Sequence, residues 1–298
     1  MPFSIGIEPL LGSGSTALAL VIFTVVFFAL VLFFSLFPNG IMTWIGKILN
    51  PIFLVLLSVL IVAAMVRPVQ TVSSVPAIEG YVDNAFFSGF LQGYDTLDAL
   101  ACLAFGIIVI NVIRGLGVKE PGAIARSTVK SGVFSMAIMA VIYAFIALAG
   151  AQCYGLYADR LTEPGFTGGD IFAIISRHYF GSVGGILLAL TVTFCCLKTA
   201  IGLITSCSET FVSMFPKSMP YKGWAILFSA FSLLVSNVGL SKIIEFSAPV
   251  LYFLYPLAIV LILLSLFGRF FGYDGHVFRW TIGFTVAAAV FDLLKVSG

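Results

Sequence analysis

Long apolar runs alternate with short polar connections along this chain, and the length of the runs decides which solvent they face. From Thr16 to Phe37 there is no charged residue, and the run stops at Pro38, Asn39 and Gly40, a cluster that breaks helices. A second run, Ile48 to Val66, lies between Lys47 and Arg67-Pro68; a third reaches from Phe86 to Val112 and a fourth from Gly132 to Ala151. A fifth covers Ser182 to Cys207, a sixth Gly223 to Leu240, a seventh Ala248 to Gly268 and an eighth Trp280 to Leu294. About 20 apolar residues in a helix cross ~30 Å of hydrocarbon. The pattern therefore predicts an all-α, polytopic integral membrane protein with about eight transmembrane helices, residues 1–298 forming a single transmembrane domain.

Composition strengthens that reading and removes others. Of 298 residues 60% are hydrophobic and 9% charged, whereas soluble domains carry about 25% charge. A net charge of +2 is too small for a nucleic-acid footprint. The five cysteines, Cys102, Cys153, Cys195, Cys196 and Cys207, form neither a disulfide framework nor a CxxC metal pattern, and they read as small buried hydrophobes. No positive stretch precedes the first apolar run and no small-residue cleavage site follows it, so no signal peptide is expected. Enzyme motifs are missing too. Gly40 to Lys47, GIMTWIGK, has one residue too many for a phosphate-binding loop, with Ile48 where Ser or Thr is required. No HExxH or GxSxG occurs, and His178 and His276 fall in connections on opposite predicted sides. Neither an enzyme nor a bound cofactor is expected.

Lys and Arg collect in loops that stay on the cytoplasmic side. The connection after the third run holds Arg114, Lys119, Arg126 and Lys130, which places it inside. Alternation then puts Lys217 and Lys222 inside, with Arg269 and Arg279, and the first residues of the chain outside. That orientation asks for an odd number of spans upstream.

Two runs carry polar chemistry at depth. The third is interrupted by GFLQGYDTLDAL, Gly89 to Leu100. Counted from Phe86 at ~1.5 Å per residue, Asp95 to Asp98 fall roughly 15 Å deep, and the whole run, ~40 Å as a straight helix, is longer than the core requires. Gly93 beside polar residues has the composition of a broken transporter helix, whose freed backbone groups hold a substrate's charged ends or a cation. Gly93, Tyr94, Asp95, Thr96, Leu97 and Asp98 are therefore the substrate-site candidates. The alternative leaves both carboxylates in outer water and starts the span at Ala99, which gives 15 residues to Ile113, short for a crossing. Gly89 and Gly93 also fit a small-residue packing site. In the fifth run Lys198 lies near mid-span, where a lysine costs several kcal/mol unless paired or facing water. Lys198 is therefore a functional candidate, and Thr199 beside it is the first of several hydroxyls able to coordinate a small cation or bond a backbone carbonyl. Thr205, Ser206 and Ser208 follow, hydroxyls that more often bond back within their own helix. Glu209 reads as interfacial, and Asp170, Arg177 and His178 as solvated.

Five stretches carry a resemblance: IGIEPLLG near the start, ILNPIFLVLLSVL in the second run, FLQGYDTLDALACLAFGIIVIN in the third, CLKTAIGLITSCSETF in the fifth, and LLVSNVGLSKIIEFSAPVLYFLYP across the sixth and seventh. Over nearly its whole length the chain resembles the bacterial branched-chain amino acid carrier family, sodium-coupled importers of leucine, isoleucine and valine. Members have about twelve spans, and this chain is similar to the portion from the fourth into the eleventh. The resemblance implies part of a LeuT-type fold, in which two inverted five-helix repeats meet around a midplane substrate. It further implies symport in a bacterial cell membrane, with Na⁺ as coupling ion at Thr199, or H⁺ if Lys198 takes the ion's place. A separate N-terminal fragment supplying three spans becomes a candidate partner. A channel or accessory subunit is the rival class, but its usual repeated pore motifs and charge rings are not seen.

The orientation is open to a direct check. Single cysteines on a cysteine-free background, probed with an impermeant thiol reagent, should label near Ser13 and stay unlabelled near Gly122; the opposite pattern reverses the topology.

Overall fold

A computed structural model of the chain describes residues 2–3, 16–37, 47–77, 80–96, 98–163, 166–238 and 240–297. Among these the regular structure is all helix. Its order is α1 (Thr16–Ser35), α2 (Asn50–Val66), α3 (Tyr81–Tyr94), α4 (Asp98–Gly115), α5 (Pro121–Gln152), α6 (Gly168–Met214), α7 (Tyr221–Ser236), α8 (Leu240–Phe267) and α9 (Gly275–Ser297). The Val, Ile and Phe that fill α1 and α2 are mediocre helix formers in water. In hydrocarbon the backbone must satisfy its own hydrogen bonds, and the helix wins regardless. Among the described residues six helices are long and apolar enough to cross a membrane: they lie in α1, α2, α4, α5, α6 and α8, and α7 is apolar but shorter.

The chain breaks where its side chains offer the backbone another partner. Pro51 and Pro121 sit in the first turns of α2 and α5, where a missing N–H costs nothing. The third apolar run, expected to break between Gly93 and Asp98, is two helices, α3 and α4, with Asp95 and Thr96 in a turn between them. A second irregularity, Asn84 at φ −139°, ψ 53°, interrupts α3 itself. The fifth run extends further than expected in both directions, to 47 residues, but it is bent at Gly181 (φ 56°, ψ −136°), one residue before the predicted start. Asp170, expected to be merely solvated, closes a capping box with Thr167 at the start of α6.

Two compact units result. One comprises residues 1–76 and 107–237. Its core joins Phe27 and Val31 of α1, Leu49, Leu197, Ile201 and Ile204 of α6, and Ala225 of α7. Nearer the predicted outer side, Ala64, Ala149, Cys153, Tyr157 and Ile175 form a second cluster. Beside it an apolar cavity of ≈ 180 Å³ remains, lined by residues such as Leu60, Ala149, Ile171 and Ile175. Burial pushes the Cys153 thiol up from its ordinary value, a shift its hydrogen bond with Tyr179 only partly counters, and burial raises the Tyr157 hydroxyl likewise. Cys153 is therefore a neutral, unreactive thiol at physiological pH. The other unit comprises residues 77–106 and 238–298, in which α8 packs along α9. The turn between them brings Gly268 against the Tyr273 ring so closely that a Cβ at 268 would overlap it.

The bend in α6 demands glycine twice. Gly181 occupies backbone space that side chains exclude. At Gly184, whose carbonyl accepts the Ser176 hydroxyl, an added Cβ would overlap the Ser176 carbonyl. Gly181→Ala should lower stability by about 1–3 kcal/mol, read as an earlier melting transition of the purified protein in detergent. A melt identical to the unaltered protein would mean that the bend relaxes without cost.

Candidate functional site

The six substrate-site candidates lie where α3 hands over to α4. The helical ladder tightens before it stops: the Asp95 N–H donates to the Leu91 carbonyl at 3.0 Å, the Thr96 N–H to the Gly93 carbonyl at 3.3 Å. The Thr96 hydroxyl reaches the Gly93 carbonyl at 2.7 Å and the Asp98 carboxylate at 2.9 Å. With one proton it donates to one of them at a time. Asp98 lies in the first turn of α4, where the unpaired N–H groups favour a negative charge. Gly93 is not what breaks the helix, contrary to the sequence argument. It is helical, and a Cβ there would meet nothing within 4 Å. The Thr96 hydroxyl instead competes with the backbone for the Gly93 carbonyl, and the helix ends one residue further on, at Tyr94. Asp95 and Thr96 are exposed, and Leu97 lies outside the described residues.

The outer-water alternative also has more to stand on than sequence suggested. It was disfavoured because Ala99 to Ile113 is short, yet α4 runs from Asp98 to Gly115, 18 residues, enough to cross.

Tyr94, the last residue of α3, meets Tyr255 of α8 edge to face, with centroids 4.3 Å apart at 76°. Sequence reasoning passed over Tyr255, which is buried. A signal was present: Pro256, inside α8 together with Pro249, has no N–H, so the carbonyl one turn before each proline loses its helical donor.

The cation-coupling candidates belong to the first unit, and the structure separates their roles. The Lys198 ammonium donates to Asn50 Oδ1 at 3.3 Å and stands 4.0 Å from the centroid of the Phe53 ring. Thr199 points elsewhere: its hydroxyl donates to the Cys195 carbonyl at 2.9 Å, and the residue is exposed. Its oxygen lone pairs remain able to ligate a cation, one ligand toward such a site. Of the hydroxyls that follow, Ser208 donates back to Ile204, while Thr205 accepts from Tyr221 at 3.4 Å. With one proton the Tyr221 hydroxyl donates to one acceptor at a time, and the shorter contact, 2.7 Å to the Ser35 carbonyl, ties α7 to the end of α1. Glu209, read as interfacial, is half-buried and accepts from Asn111 of α4 at 2.7 Å. Asn50, Phe53, Asn111 and Tyr221 were missed because a single polar or aromatic residue in an apolar run gives no hint of what it faces.

Apolar helices joined by single polar contacts, one of them holding an intramembrane lysine, define a multi-pass protein of the cell membrane. The comparisons with known proteins narrow the class. Residues 1–298 match the family described as branched-chain amino acid transport protein, and the chain belongs to that family. It is 46% identical to the branched-chain amino acid permease BrnQ of Lactobacillus delbrueckii subsp. lactis, over 99% of this chain and 65% of the permease. Identity to the permease BrnQ of Bacillus subtilis is 38%, over 99% of this chain and 66% of that one. With the branched-chain amino acid transport system 2 carrier protein of Pseudomonas aeruginosa it is 39%, over 90% of this chain and 59% of the carrier. The chain thus spans about two thirds of the length of the first two relatives. All three are named as permeases or carriers, not enzymes, and none of the names points to a separate N-terminal fragment, so that expectation gains no support. No solved structure matches the chain.

The Tyr94–Tyr255 contact can be measured by itself. A double-mutant cycle of Tyr94→Ala and Tyr255→Ala on thermal unfolding should give a coupling of about 0.5–1.5 kcal/mol, as for other aromatic pairs. Strict additivity would show that the rings touch without stabilising the break.

Proposed function

We propose that this chain works in cation-coupled secondary transport of leucine, isoleucine and valine across the cell membrane; the names of its relatives support branched-chain amino acids as the substrate class. The observation that carries the reading is the break between α3 and α4. A zwitterionic amino acid needs a partner for each end. The last carbonyls of α3 attract its ammonium, and the first N–H groups of α4 attract its carboxylate, as broken helices do in LeuT-type carriers. Residues Gly93 to Asp98 supply this polar seat, with Thr96 and Asp98 fixing its shape, and neighbouring apolar side chains take the aliphatic tail.

For the coupling ion, sodium at the Thr199 hydroxyl is the first reading. A specific observation favours a second: the Lys198 ammonium is already held at Asn50 and Phe53, so a proton on Lys198 can take the place of the ion. Channel and accessory roles have no comparable feature in their favour.

The test replaces the matched portion of the Lactobacillus delbrueckii permease, 65% of its length, with this chain, in cells lacking their own branched-chain carriers. Labelled leucine should accumulate, isoleucine and valine should compete, and lysine and glutamate should not. Removing sodium at fixed pH, then collapsing the proton gradient at fixed sodium, identifies the ion. A chimera that reaches the membrane and accumulates no leucine would overturn the proposal.

A further inference from the structure

The break between α3 and α4 is braced from two sides. On its polar side the Thr96 N–H and hydroxyl both lie within hydrogen-bond distance of the Gly93 carbonyl, which closes the backbone from Gly93 to Thr96 into a tight turn. On its apolar side the Tyr94 ring, borne by that same stretch, meets Tyr255 of α8 with centroids 4.3 Å apart. From Gly93 to Thr96, Tyr94 carries the one large apolar surface. It is half-buried, so part of the ring is covered and part lies open.

Tyr255 differs from its neighbours on α8. Tyr252 and Leu254 are exposed, whereas Tyr255 is 5% exposed and Ala258, one turn on, is buried with it. The ring of Pro256 crowds the Tyr255 backbone, and burial fixes its side chain among packed neighbours. Tyr255 is thus a fixed block against which the Tyr94 ring rests.

A zwitterion seated at the break turns its aliphatic tail to the nearest apolar surface, the open part of the Tyr94 ring. How far that ring can retreat decides how large a tail fits. We propose that Tyr255 is a positioning residue for substrate selectivity: by holding Tyr94 from behind, it fixes the depth of the tail pocket, which then accepts short branched tails and rejects aromatic ones. This deepens the transport reading and rests on it.

Uptake of labelled leucine by the chimeric carrier is measured with valine, methionine and phenylalanine as competitors. In Tyr255→Ala the Tyr94 ring can withdraw into the vacated space, so phenylalanine and methionine should gain on leucine by about tenfold, the scale on which an apolar pocket discriminates a methylene, while valine weakens. Tyr255→Phe keeps the ring and should restore the original order. Tyr252→Ala removes an exposed tyrosine from the same helix and should leave the order as it was. A merely structural loss lowers the uptake of every substrate together and does not reorder them. For a variant that does not transport, the same ranking is read from the rise in melting temperature that each amino acid gives the purified carrier in detergent. Where alanine prevents folding, Tyr255→Leu replaces it. A chimera that neither transports nor binds leucine overturns the transport reading. One that handles leucine, but whose Tyr255→Ala or Tyr255→Leu variant ranks the competitors as the unaltered carrier does, overturns the role of Tyr255 alone.

Discussion

Hydrocarbon offers no hydrogen bonds, so every backbone N–H and C=O within it must be paired inside the protein, and each departure from the helix needs a named replacement. The replacements are local. At the end of α3 the Thr96 hydroxyl takes the Gly93 carbonyl. At the bend in α6 the Ser176 hydroxyl takes the Gly184 carbonyl. At the end of α1 the Ser35 carbonyl is taken by Tyr221, from a helix far along the sequence. Bends and breaks of this kind are where a helix can move or bind, because only there are backbone groups held by side chains that can let go.

The same constraint governs polar side chains, and magnitudes show which contact is under most strain. Pairs such as Thr24 with Asn237 or Asn111 with Glu209 are worth about 1–2 kcal/mol at most in a membrane. A lysine at mid-span costs about 2.5–3.5 kcal/mol on insertion scales. One hydrogen bond from Asn50 does not offset that. Adding a desolvated cation–π contact of about 2 kcal/mol brings the balance near zero. The contacts of Lys198 thus offset its insertion cost without a surplus, unlike those of a residue kept for stability.

What sequence made legible follows from this physics. Long uncharged runs report the solvent directly, so the helical, multi-pass architecture was readable, and five stretches of residues were enough to point to the family. The break at Asp95 and Thr96 was readable from its polar cluster, but not its cause. Glycine, the usual suspect, is helical at position 93, whereas the competition of the Thr96 hydroxyl for the Gly93 carbonyl is visible only in geometry. Partners were the least legible. Asn50 and Lys198 are 148 residues apart, and no periodicity within either helix says that they meet.

The sodium and proton readings are better seen as competing than as additive. Thr199 and Lys198 are consecutive on α6, although their polar atoms face different partners, the Cys195 carbonyl and Asn50. Like charges ~4 to 10 Å apart at an effective dielectric near 20 repel by roughly 2–4 kcal/mol. A bound sodium would therefore help expel the lysine's proton, and a protonated lysine would help expel sodium. A chain holding both residues need not be ambiguous about its ion, since under the proposed coupling role a charge at one of them disfavours a charge at the other.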